Sequence, residues 1–86
     1  MLKVYKYEVP FADAFTLDMP MGAQCLSLHN GALWALVDPE APKLKRRFWL
    51  AGTGHPIDAA PADLRFIGTA QFYGELHELH LFEVLS

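Results

Sequence analysis

Residues 34–57 read WALVDPEAPKLKRRFWLAGTGHPI. Two apolar runs flank a proline-acid corner, a basic run follows the corner, and a Gly-Thr-Gly-His-Pro turn closes the stretch. Ala32 to Val37 is apolar on both faces, which suits a central strand. Asp38-Pro39-Glu40-Ala41-Pro42 fits a type I turn, with Asp first and Pro second. Lys43 to Ala51 is the next strand, and strand parity divides it. Leu44, Phe48 and Leu50 point one way together with Arg46, while Lys43, Lys45, Arg47 and Trp49 point the other.

Working outward, Asn30-Gly31 lies between two apolar runs. Both residues tolerate positive φ, so Gln24 to Val37 is predicted to be a hairpin. Upstream, Leu2 to Val9 is rich in Tyr and Val and reads as a strand ended by Pro10. Ala14 to Met19 alternates Phe15, Leu17 and Met19 against Thr16 and Asp18, and a Pro20-Met21-Gly22 turn follows. Downstream, Gly52 to Ala62 is a loop. Leu64 to Phe72 is a strand with a bulge at Gly68, and Tyr73-Gly74-Glu75 turns into a last strand, Leu76 to Leu85. That last segment also carries helical spacing, but its Phe-Val-Leu end favours strand. The fold expected is all-β: one domain over residues 1–86, a small antiparallel sandwich or part-open barrel of six to seven strands. The expected core is Val4, Leu26, Leu28, Leu33, Leu36, Phe48, Leu50, Ile67 and Leu81.

Composition bounds the function. A chain of 86 residues buries only about 60% of its unfolded surface, yet 52% of its residues are hydrophobic and 13% aromatic. Surplus apolar surface marks interfaces, so a homo-oligomer is expected, most simply a two-fold dimer. A net charge of −3 argues against general nucleic-acid binding. The start, MLKVYKYEVPF, lacks the continuous apolar core of a signal peptide, no stretch has membrane-spanning length, and a cytosolic setting is expected. The one cysteine, Cys25, excludes an internal disulfide.

Four of the seven Lys and Arg residues fall between Lys43 and Arg47. The candidate binding residues are therefore Lys43, Lys45, Arg47 and Trp49, with Gly52, Thr53, Gly54 and His55. The cations neutralise phosphate, Trp49 stacks a base, and the turn donates backbone N–H groups. The competing reading is an edge strand guarded by Lys and Arg against aggregation. His77 and His80 form H-x-x-H, but residues three apart on a strand face opposite ways, so no metal site is assigned. Cys25 and His29 share parity without forming a dyad, and Ser27 sits inside a hairpin strand. No catalytic residue and no cofactor is expected, and the chain is not read as an enzyme. Asp38 and Glu40 are read as turn residues, or as a contact for a partner's Arg.

Six strings occur in one order: Lys6-Tyr7; Met19-Pro20 with Gly22-Ala23; Leu33-Trp34-Ala35-Leu36-Val37-Asp38-Pro39; Gly52-Thr53-Gly54-His55-Pro56-Ile57; Phe66-Ile67-Gly68-Thr69; and Phe82-Glu83. This pattern resembles a family of small uncharacterised proteins encoded by bacteriophages and prophages, over nearly the whole chain. The resemblance implies the cytoplasm of an infected bacterial host and carries no catalytic residues over. The expected function is a counter-defence or host-takeover binder that inhibits a host protein complex, in the manner of an anti-CRISPR protein. One alternative is an oligomeric sponge that sequesters a phosphorylated nucleotide immune signal at the residues named above. A second is a virion assembly accessory.

Overall fold

The computed structural model describes residues 1–72 and 77–85. Among them, seven strands form two antiparallel sheets. They are β1 (Lys3–Glu8), β2 (Ala14–Pro20), β3 (Gln24–His29), β4 (Ala32–Val37), β5 (Lys43–Gly52), β6 (Leu64–Phe72) and β7 (His77–Val84). The first sheet runs β1-β4-β3 and the second β2-β5-β7-β6. The expected all-β sandwich is the observed fold, and β7 is strand rather than helix. The expected turn at Tyr73-Gly74-Glu75 lies outside the described residues. No helix among the described residues is long and apolar enough to cross a membrane.

The apolar continuity of β4 has the anticipated cause, since β4 is the middle strand of the first sheet. Its odd positions, Leu33, Ala35 and Val37, are sealed against the second sheet. Trp34 and Leu36 face out, and Lys6 Nζ stands 5.7 Å from the centre of the Trp34 ring. The Asn30-Gly31 turn has positive φ at both residues, 46° and 82°, as a type I′ hairpin requires. At the acid corner Glu40 N–H donates to Asp38 Oδ1 and Ala41 N–H to the Asp38 carbonyl, which pins the expected turn.

The core lies between the sheets. Phe48 and Leu50 of β5, Leu79 and Leu81 of β7, Met19 and Phe72 close on Leu33, Ala35 and Val37. Each large apolar side chain buried there contributes about 1.5–3 kcal/mol. Leu28 and Ile67 pack against this core from its margin. Three expected core residues, Val4, Leu26 and Leu36, do not reach it. Val4 faces out because Tyr5, Tyr7 and Val9 take the inner side of β1, and it pairs with Leu36 on the exposed face. Leu26 falls at a bulge between Cys25 and Ser27 that breaks the alternation, so that Cys25 and Leu28 both turn inward. β3 approaches β6 closely enough that a Cβ on Gly68 would stand 3.4 Å from the Leu28 Cβ. The bulge expected in β6 falls between Phe66 and Gly68.

Candidate functional site

The inner face of β5 begins with a charge. Arg46 shares parity with Phe48 and Leu50, so its side chain enters the space between the sheets. Glu83 shares parity with Leu79 and Leu81 on the neighbouring β7 and meets it there. Arg46 Nε donates to Glu83 Oε2 and Nη2 to Oε1, both at 2.6 Å, a two-point fork. The guanidinium also reaches the other sheet. Nη1 donates to the Ala23 carbonyl at 2.6 Å, and Nη2 lies 4.0 Å from Cys25 Sγ. Hydrogen bonding to Glu83 holds the Arg46 pKa above its ordinary value. Burial pushes the Cys25 thiol up, against the opposing pull of Arg46, so Cys25 is a neutral thiol at pH 7 and a poor nucleophile.

This ion pair floors an open cleft of about 610 Å³ at one end of the sandwich. Met21, Leu44, Phe66 and Ile67 wall it. Arg65 stands at its side, with Nη1 3.9 Å from Glu83 Oε1 and most of its side chain in solvent. The volume lies within the range that holds small ligands or an anchoring side chain. On the floor, three Arg46 N–H groups are engaged by Glu83 and the Ala23 carbonyl.

The residues expected from sequence are placed differently. Lys43, Lys45, Arg47 and Trp49 do share one face, the outer face of the second sheet. The strand that carries them is interior, however, lying between β2 and β7. The pairing with β7 begins at Arg47, so β5 is flanked on both sides from Arg47 to Trp49, while Lys43 and Lys45 pair with β2 alone among the described residues. Lys45 pairs with Asp18 at 3.7 Å, both exposed. Ten residues of strand span about 30 Å, so Gly52, Thr53, Gly54 and His55 lie at the far end from Lys43. There the His55 N–H donates to the Gly52 carbonyl, with Gly54 at φ 84°. His55 lines a separate recess of about 240 Å³ with Asp13 and Phe11. Thr53 Oγ1 and Thr69 Oγ1 each lie 2.8 Å from a ring nitrogen of His80, so both ring nitrogens have a hydroxyl partner. The side chain of His77 lies outside the described residues, and among those described no three His, Cys, Asp or Glu side chains converge on one point.

Sequence reasoning placed Arg46 on the core-facing side of β5 and went no further. The overlooked signal is that a charge at an apolar parity position needs a buried counter-charge. Glu83, at the same kind of position in β7, was available to supply it.

Fold and cleft together define the class: a small antiparallel β-sandwich with an ion-paired cleft at one end. The chain belongs to the DUF7352 family, described as a domain of unknown function, whose model matches residues 1–86. No curated protein and no solved structure matches it.

Proposed function

We propose that the protein is a non-catalytic binder, of the phage- or prophage-encoded kind, that inhibits a host protein complex by seating one segment of it in the end cleft. The observation that carries this is the exposure of the cleft's apolar rim. Met21, Leu44 and Phe66 remain 52%, 46% and 59% exposed, around a floor whose charges already satisfy one another. Exposed apolar groups rimming a concave site, with an Arg beside them, have the composition of a protein-binding hot spot. The segment that fits carries an apolar anchor for Leu44 and Met21 and a carboxylate for Arg65. The host-conflict setting is supported by the WALVDP and GTGHPI strings, and the non-catalytic reading by the neutral thiol and the occupied guanidinium.

A photo-crosslinker in place of Leu44 tests it, with the same group in place of His29 as the control. We expect one host protein captured from position 44 alone. The purified pair should then bind with an affinity that Arg65→Glu weakens about tenfold or more. Equal capture from both positions, or an affinity indifferent to Arg65→Glu, refutes the reading. Nucleotide sequestration keeps one supporting observation, the shared face of Lys43, Lys45, Arg47 and Trp49. Native mass spectrometry of protein purified from bacterial cells separates the two, because only a sponge carries a nucleotide mass.

A further inference from the structure

Two rows of side chains cross the outer face of the second sheet. Strand register aligns Ala14, Trp49, Phe82 and Phe66 across all four strands, and Thr16, Arg47, Val84 and Leu64 beside them. Most of these groups are apolar, on the side of the sheet turned away from the core. The Phe66 and Phe82 rings pack at 5.5 Å, and Phe66 stands proud at the β6 edge. At the opposite side of the same face, Ala14, Thr16, Trp49 and Val84 border a hollow of about 230 Å³. A cavity of about 150 Å³ accepts a benzene ring, so the hollow has room for one phenyl group.

Knob and hollow lie in the same row, at opposite edges of one face. We propose that the protein is a two-fold dimer closed through this face, with Phe66 of each copy entering the hollow beside Ala14 of the other. A two-fold axis parallel to the strands does this. It lays β6 over the partner's β2 and β7 over the partner's β5, and so sets Trp49 against the partner's Phe82 twice. Face-to-face sheets with strands nearly aligned are an ordinary packing mode. The registers set the overlap: β2 meets the partner's β6 over three residues and β5 meets the partner's β7 over six, a footprint of about 290 Å², which places the dimer in the small, weakly held class of interfaces. Lys45 brings its own counter-charge in Asp18, and Arg47 borders the hollow, where it lays a cation beside the entering Phe66 ring. The dimer leaves Leu44 and Arg65 uncovered but takes Phe66, which also walls the cleft, so Ala14→Arg, away from the cleft, is the substitution that tells the two apart.

Light scattering and native mass spectrometry of the 86-residue protein test the proposal. A dimer is expected at micromolar concentration. Ala14→Arg fills the hollow from an exposed position on an edge strand and leaves the core intact. With two hollows per dimer and about tenfold lost at each, it should raise the dissociation constant about 100-fold. Phe66→Ser should do the same from the other side of the contact, and reads the proposal should Ala14→Arg fail to fold. A photo-crosslinker at position 66 should join the partner's segment 14–16. A monomer at about 100 μM, a dimer that both substitutions leave unchanged, or crosslinks from 66 to the partner's β6 would each overturn it.

Discussion

Removing either half of the Arg46–Glu83 fork leaves a charge in the interior without its partner, and that governs what substitutions there do. Arg46→Met or Glu83→Leu alone is expected to cost about 3–5 kcal/mol, read as a lower denaturant midpoint. The double replacement Arg46→Met with Glu83→Leu should recover most of that loss, because the pair's attraction and its desolvation nearly cancel. A double variant as unstable as the worse single one would show that the Ala23 carbonyl, left without its donor, matters more than the charges. Cys25 beside the fork gives a pH signature. Burial raises its thiol above the unfolded value of about 8.5. Above that pH the unfolded chain holds fewer protons than the folded one, so stability falls as pH rises and levels off past the folded value. Denaturant titrations from pH 8 to 10 should show this decline for the native protein and a flatter curve for Cys25→Ala. An unchanged slope would remove the thiol from the account. At this scale the sequence told half the story. The parity of Arg46 was legible, but its partner sits 37 positions away, and only the neighbouring of β5 and β7 brings the two together.

Elements were most legible where local chemistry alone sets the backbone. Asn30-Gly31 forces a tight hairpin, Asp38-Pro39 a turn, and the doubly apolar β4 a central strand. Gly31 holds φ at 82° with the Phe72 ring 3.8 Å from where a Cβ would stand. Contact is ordinary there, so the cost of Gly31→Ala is the left-handed backbone alone, about 1 kcal/mol. A thermal midpoint lowered by about 4–8 °C is the expected reading, and a midpoint unmoved would mean the turn relaxes. Gly68 is the opposite case. Its φ needs no glycine, but Leu28 crowds the position from the other sheet. Gly68→Val should therefore part β3 from β6 and destabilise more than Gly31→Ala in the same measurement. What local chemistry does not encode was missed. The bulge that turns Leu26 out of the core is a matter of pairing with β4, and β5 is interior only because the distant β2 and β7 flank it. A row of Lys and Arg reads as an edge, and only its Arg47 end has a strand on both sides.

For the whole molecule, surface is the quantity to weigh. A folded monomer of this mass exposes about 5,100 Å², whereas this chain exposes 5542 Å². The Cα envelope measures 40 × 30 × 16 Å, a slab two sheets thick. A slab has two broad faces and few residues to line its interior, so apolar side chains in excess of the core must stand outside. The apolar surplus was plain in the composition. Where it would gather was not, because that depends on which strands become neighbours and which way each bulge turns its row. If the second sheet's outer face closes a dimer, folding and association become one equilibrium, and stability depends on concentration. Each tenfold rise in protein adds about 1.4 kcal/mol per dimer. Against an unfolding entropy of about 2.1 cal/mol/K for each residue of two chains, that is a rise in midpoint of about 4 °C. Calorimetry at three concentrations tenfold apart should trace this rise for the native protein, and Ala14→Arg should abolish it. A midpoint independent of concentration in the native chain would mean that the slab is stable alone and its aromatic face is free for other contacts.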